Sequence, residues 1–352
     1  AGYSFVDLDA EPFRVFKEAQ PQITLYEGEI AVNDYSELSY TEAYEQLFRK
    51  ASKEYPFTEE KGVDWNALYD EFASRIARAG SAADFYRALR DFSYAIPDAH
   101  VGLTLDGEVF FQERGGSFGL ILTELSDGRV LVTEALPNTP ADRAGIRPGA
   151  EIVAWDGQPV AEAISAVEPY FGPFSTEHHR RLMQAIFLTR VPPNTEVAVE
   201  YRNPDGEQVQ TATLTAEVEY ESLFRSLPGL PPDELALPVE GEVLDDSGLG
   251  YVRITTFSDD YRMMAGLWEH FLEGLIANEI PGLIIDLRDN GGGSTGLAHD
   301  FAGYFFEEEV TLYQSYYYNE RLGDFKVTDR PARVEPAPFQ YEGQIAVLVS
   351  PY

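Results

Sequence analysis

The chain has 352 residues, with 60 Asp and Glu against 26 Lys and Arg, five His and no Cys. That length predicts two or three domains, and a composition of 44% hydrophobic and 24% charged residues excludes a disordered or fibrous chain. The formal net charge of −34 argues against a nucleic-acid partner, which needs clustered Lys and Arg, and the lack of Cys excludes a disulfide scaffold, a thiol nucleophile and Cys-ligated zinc.

Residues 1–38 read as extended or irregular. From Thr41, helical spacing puts Tyr44, Leu47, Phe48, Ala51 and Tyr55 on one face. A second helix carries Trp65, Leu68, Tyr69, Phe72 and Ile76. A third opens on Ser81 and Asp84, read as a capping box, and buries Phe85, Leu89 and Phe92 before Pro97 stops it. These segments predict an N-terminal extension and helical domain over 1–112. No run approaches the roughly 18–20 apolar residues of a membrane-spanning helix. The start at Ala1 fits either a removed export signal or a shortened chain, and an exported, periplasmic or extracellular location is the expectation.

After Gly115-Gly116 the pattern becomes β-like. Phe118–Leu122 and Val130–Val132 flank Asp127-Gly128 as a hairpin, Glu151–Trp155 follows as a strand, a helix is read near Glu177–Leu188, and strands are read at Glu196–Arg202 and Gln208–Thr215. A unit over 113–222 results. Pro228, Pro231, Pro232 and Pro238 mark 223–240 as a linker. The last unit, 241–352, starts with the strand Leu249–Phe257 and a helix capped by Asp259 or Asp260. It continues with Gly282–Leu287, an apolar run suited to a strand covered on both faces, then a turn and a helix from Ser294 to about Phe306. A polar, Tyr-rich excursion precedes a returning strand, Gln344–Val349. The fold class expected is a multidomain α+β protein.

Ser117-Phe118-Gly119-Leu120 and, further on, Ala144-Gly145-Ile146-Arg147-Pro148-Gly149-Ala150-Glu151-Ile152 carry a resemblance to a PDZ domain over about 113–220. A Gly-rich loop leaves N–H groups for a peptide's terminal carboxylate, and the adjacent strand edge accepts the peptide as an extra strand. The resemblance makes Ser117, Phe118, Gly119 and Leu120 the expected peptide-binding residues.

The strongest signal is Asp286-Leu287-Arg288-Asp289-Asn290-Gly291-Gly292-Gly293 after a buried strand. With the PDZ-like unit upstream and Ile345–Ser350 downstream, it resembles the carboxy-terminal processing (tail-specific) protease and tricorn-core family of serine peptidases. The resemblance implies an α/β core of the ClpP/crotonase-like type, of which this chain carries the N-terminal part. It makes an amide of Gly291, Gly292 or Gly293 an oxyanion donor, supported by Asp286, Arg288 and Asn290. Glycine suits that task because backbone N–H groups must reach a tetrahedral intermediate unobstructed. Asp98-Ala99-His100 is similar to the Asp-x-His of the tricorn-like branch, which makes His100 the general base; Ala99 stands where that branch can have serine. The nucleophilic serine is expected beyond Tyr352.

Gly292-Gly293-Ser294-Thr295-Gly296 also satisfies Gly-x-Ser-x-Gly, the elbow of α/β-hydrolases. The only later histidine, His299, lies on the same expected helix and cannot swing round to Ser294, which is better placed as a helix N-cap. His178, His179 and His270 read as surface or packing residues, and no histidine pair has metal spacing with a carboxylate, so neither metal nor cofactor is expected. The reading is a serine endopeptidase acting on peptides or unfolded protein ends held by the PDZ domain. A catalytically incomplete peptide- or ligand-binding protein on the same scaffold is the alternative, and oligomeric state is not legible.

Overall fold

A computed structural model describes residues 34–204, 206–227, 237–288, 290–319 and 322–350, with backbone alone for 3–7 and 14–18. The first two segments, β1 (Tyr3–Asp7) and β2 (Arg14–Glu18), pair antiparallel.

Three helices follow, as their apolar spacing requires: α1 (Tyr40–Glu54), α2 (Trp65–Ile76) and α3 (Ala82–Tyr94). Tyr44, Phe72, Ile76, Ala88, Phe92 and Ile96 form their buried core. Each helix has a side chain accepting from an orphan N–H at its start, the task an N-cap performs: Ser39, Asp64 and Ser81. The reciprocal capping box is at Ser39 and Glu42. At Ser81 only half of the expected box forms, because the Asp84 carboxylate accepts from Gly80 N and Ser81 Oγ instead of Ser81 N. A further helix, α4 (Gly107–Arg114), which the apolar spacing did not announce, is capped by Asp106 and buries Val109 and Phe110.

The middle unit comprises β3 (Gly116–Ser117), β4 (Leu120–Glu124), β5 (Val130–Ala135), α5 (Pro140–Arg143), β6 (Glu151–Trp155), β7 (Gln158–Pro159), α6 (Val160–Ser165), α7 (Glu177–Leu188), β8 (Arg190–Val191), β9 (Glu196–Arg202), β10 (Gln210–Thr215), β11 (Glu217–Val218) and α8 (Glu221–Ser226). One sheet runs β10-β9-β6-β5-β4, so β4 ends it; a small second sheet runs β11-β3-β8. Phe118, Leu120, Leu122, Val130, Val132, Ile152, Trp155 and Val199 fill the core between them. The alternating Glu196–Arg202 strand buries Val197, Val199 and Tyr201, the period of two that half-covered strands show.

The last unit holds β12 (Val239–Val243), β13 (Gly250–Ile254), α9 (Tyr261–Ala277), β14 (Gly282–Asp286), α10 (Thr295–Ala302), β15 (Val310–Tyr313), β16 (Tyr316–Asn319), β17 (Asp324–Val327), β18 (Ala332–Val334) and β19 (Gln344–Leu348). Its sheet runs β12-β13-β14-β19, with β13, β14 and β19 parallel and β12 antiparallel at the edge. Trp268 of α9 stacks on Phe301 of α10 at 4.8 Å, fixing both helices against the sheet core. The Tyr-rich excursion resolves into two antiparallel pairs, β15 with β18 and β16 with β17. The expected linker is shorter than its prolines suggest. α8 runs to Ser226, and Val239 and Glu240 already pair with Ile254 and Arg253. Strand pairing claims Val239 because its side chain is buried in the last unit's core. Pro228, Pro231 and Pro232 lie outside the described residues.

Candidate active site

β14 lies between two parallel neighbours and ends at Asp286, which is 2% exposed. A buried carboxylate needs donors, and Asp286 has them from three groups. Tyr251 Oη donates at 2.6 Å, Arg288 Nη2 at 2.7 Å and the Arg288 amide at 3.0 Å. The Arg288 hydrogen bonds hold the Asp286 pKa well below the usual carboxylate range, against the opposing effect of burial. This pair fixes the exit of the strand.

Asn290 fixes the next step: its Nδ2 donates to Ile254 O at 3.0 Å and its Oδ1 accepts from Gly292 N at 2.8 Å. Phe257 N then donates to Gly292 O, and Ser294 N to Phe257 O, both at 2.8 Å. Gly292 N is thus committed to Asn290. Among the described residues the amides of Gly291 and Gly293 donate to no acceptor, and both residues are exposed. Gly293 has φ +137, and a Cβ there would stand 2.3 Å from the Phe257 carbonyl carbon, so only glycine fits. Ser294 is the N-cap of α10, its Oγ accepting from Leu297 N at 3.3 Å, which leaves it in a capping role and not on a nucleophile elbow. Leu287 N donates to Leu348 O at 2.9 Å, so the carboxyl ends of β14 and β19 emerge side by side.

His100 stands elsewhere on the surface: its side chain is 98% exposed and pairs with Asp98. Its Nδ1 lies 3.3 Å from Asp98 Oδ1, and its amide donates to the same oxygen at 3.0 Å. Tyr55 Oη donates to the other oxygen of Asp98 at 2.8 Å. Burial raises the Asp98 pKa, but the His100 amide, the Tyr55 hydroxyl and the His100 ring together outweigh it and the net shift is downward. An ionised Asp98 on Nδ1 leaves Nε2 facing outward. The Ala99 amide donates to Ser175 Oγ at 2.9 Å, and Tyr94 Oη to Tyr170 O, anchoring this segment to the stretch before α7. The structure therefore supplies Asp98 and Tyr55 as partners that sequence reasoning did not assign, and it does not bring His100 onto the glycine turn. The Asp-x-His spacing was the signal for Asp98; Tyr55, 43 residues away, had none.

The other histidines are placed as packing or surface groups. His179 meets the Phe174 ring edge-on at 5.2 Å, and burial lowers its pKa. His178 and His270 are exposed, and His299 lies on α10 against Tyr313. Among the described residues no cluster of three or more His, Asp or Glu could hold a metal.

The PDZ-like loop is not the open cradle expected. Ser117 and Phe118 are 0% exposed and Leu120 1%. Phe118 packs edge-on against Trp155 at 5.5 Å. Gly119 N donates to Ser117 Oγ at 3.1 Å, Gly119 O accepts from Leu136 N at 2.8 Å, and Phe118 O accepts from Ala141 N at 3.0 Å. Gly119 has φ +77, and a Cβ would meet Thr139 Cβ at 2.3 Å. Over the loop lies α8, whose Ser222 Oγ is 3.2 Å from Ser117 Oγ. α8 thus gives Ser117 a polar partner and packs on β4, the strand that follows the loop.

Comparison with known proteins follows the same order along the chain. Residues 36–93 match the tricorn protease C1 domain, 108–167 the PDZ domain and 248–352 peptidase family S41. The carboxy-terminal processing protease CtpB of Bacillus subtilis is 26% identical over 57% of this chain and 35% of its own length. The chloroplastic carboxyl-terminal-processing peptidase 2 of Arabidopsis thaliana is 24% identical over 72% of this chain and 45% of its own. The chain thus spans between about a third and a half of the length of these curated relatives. The crystal structure of mature CPAF superposes with a TM-score of 0.63 at 15% identity, covering 88% of this chain and 78% of that one, a likeness of fold. With a helical region, a PDZ-like unit and an S41-like core in this order, the chain is similar to the carboxy-terminal processing and tricorn-type proteases.

Proposed function

We propose that the full-length protein is a serine-type peptide hydrolase that cleaves peptides or unfolded protein ends captured by its PDZ domain. The observation that carries this reading is the glycine turn: two uncommitted amides, Gly291 and Gly293, on a backbone braced by Asp286, Arg288 and Asn290. Donors fixed in advance stabilise a developing oxyanion without reorganising at the moment of reaction. The carboxyl end of β19, beside that turn, is where a nucleophile following the strand would emerge, as sites on parallel sheets do. His100, its Nδ1 turned to Asp98 and its Nε2 outward, is the group that takes the nucleophile's proton. Asp98 orients the ring, and Tyr55 holds Asp98.

In the full-length enzyme, His100→Ala should lower kcat by about 10²–10⁴. Because the ring is 98% exposed, the melting temperature should stay unchanged. Asp98→Asn should lower kcat with KM little altered. Near-normal turnover of a folded His100→Ala protein would end the assignment of the base.

A further inference from the structure

Arg190 stands directly opposite Ser117 in the β3–β8 pairing and is 1% exposed. A guanidinium taken out of water requires acceptors around it. The acceptors here all come from one short stretch of chain. Nη1 donates to the Glu219 carbonyl, Nη2 to Ser222 Oγ, and Nη2 lies 3.5 Å from Glu219 Oε2. The Glu219 carboxylate in turn accepts from Ser222 N and Ser222 Oγ, each at 2.6 Å. A carboxylate therefore faces a buried arginine beside the loop whose resemblance marks it as a carboxylate site. Burial pushes the Arg190 pKa down to about 10, with Glu219 only partly offsetting it.

The rest of this stretch lies where an added strand would go. β4 ends its sheet, and a sheet edge flanked by a helix is the geometry of peptide capture by strand addition. α8 packs on β4, and its Leu223 is buried with Met183, Ile186 and Phe187 of α7. Beyond those contacts the stretch is weakly held. α8 has six residues, its first-turn Ser222 N–H is capped only by the Glu219 side chain, Phe224 is 57% exposed, and Arg225 makes a partly exposed ion pair with Glu134 at 2.9 Å. A helix so short has no stability of its own.

We propose that Arg190 is the carboxylate receptor of a peptide groove between β4 and α7, and that Glu219–Ser226 occupies this groove in cis until a peptide with a free C-terminus displaces it. The inference rests on the peptide-capture part of the proposed function and adds to it the receptor and its internal competitor.

The protein has no cysteine, so Ser117→Cys with Ser222→Cys creates one disulfide that locks α8 down. The probe is a fluorescein-labelled decapeptide ending in Leu-Val with a free carboxylate, read by anisotropy beside its amidated twin. The reduced double variant should bind at least tenfold more tightly than the oxidised one. Glu219→Ala and Arg225→Glu, which loosen the stretch, should each bind more tightly than the parent. Arg190→Gln should lose the preference for the free carboxylate, and Arg190→Lys, which keeps the charge, should retain part of it. Equal binding by oxidised and reduced forms would overturn the internal competitor while leaving peptide capture intact. A Glu219→Ala protein that binds free and amidated peptides alike would overturn Arg190 as the receptor. No binding by any form, with an unchanged melting curve, would overturn this inference and peptide capture together.

Discussion

Two glycine turns in this chain look alike as sequence and differ as structure. At Ser117–Leu120 the glycine exists for packing: Thr139 fills the space a Cβ would take, and the Gly119 amide is spent on Ser117 Oγ. At Gly291–Gly293 the glycines exist for access. Asn290 ties down Gly292 N alone, and the flanking amides stay exposed. Glycine count therefore says little about donor availability. What decides is whether a neighbouring hydroxyl or amide side chain has already taken the N–H.

Substitutions can break this contrast. The largest effect is expected for Gly293→Ala, where φ is +137 and the new Cβ meets Phe257 backbone that cannot move aside. A loss of about 4 kcal/mol, at the upper end for single changes, is expected from urea unfolding. Gly119→Ala follows at about 3 kcal/mol, because its obstacle is a side chain on a short loop. Adding Thr139→Gly should recover part of that loss, a coupling that a double-mutant cycle measures.

Asp286→Asn should cost about 1.5–3 kcal/mol by removing charge-assisted bonds from Arg288 and Tyr251. It should also change the acid limb. A carboxylate with a depressed folded pKa contributes fully above its unfolded pKa of about 3.9 and loses that contribution as pH falls from there towards the folded value. The parent should therefore lose more stability than Asp286→Asn below about pH 4, measured by melting temperature against pH. Smallest of all is Gly291→Ala, with nothing within 4 Å of the new Cβ. Its stability should stay within about 0.5 kcal/mol of the parent. A large loss there would show that the turn is packed after all.

Periodicity made much of this fold legible. The helices over Tyr40–Glu54 and Glu177–Leu188, the strand Glu196–Arg202 and the buried Gly282–Asp286 all follow from apolar spacing that tertiary packing then used. α4 escaped because Val109, Phe110 and Phe111 are consecutive, which gives no helical stripe; only the Asp106 cap announced it. α8 and β12 escaped because prolines nearby suggested a linker, while pairing with β13 and burial of Leu223 depend on distant residues. At the site, the glycine turn and the Asp98–His100 pair were readable as local motifs. Which amide Asn290 commits, and what covers Ser117, depended on contacts 36 and 105 residues away.

The position of β14 sets how the glycine turn moves in time. Its amides and carbonyls are bonded on both sides, to β13 and to β19, and Leu283 is 2% exposed. Such strands open only with the largest unfolding events, so Leu283–Ile285 should be among the last amides to exchange with deuterated solvent. The turn leaves the sheet immediately after this segment, where Asp286 and Arg288 pair. In the proposed mechanism the glycine amides are the fixed post, and every approach to them must be made by something else.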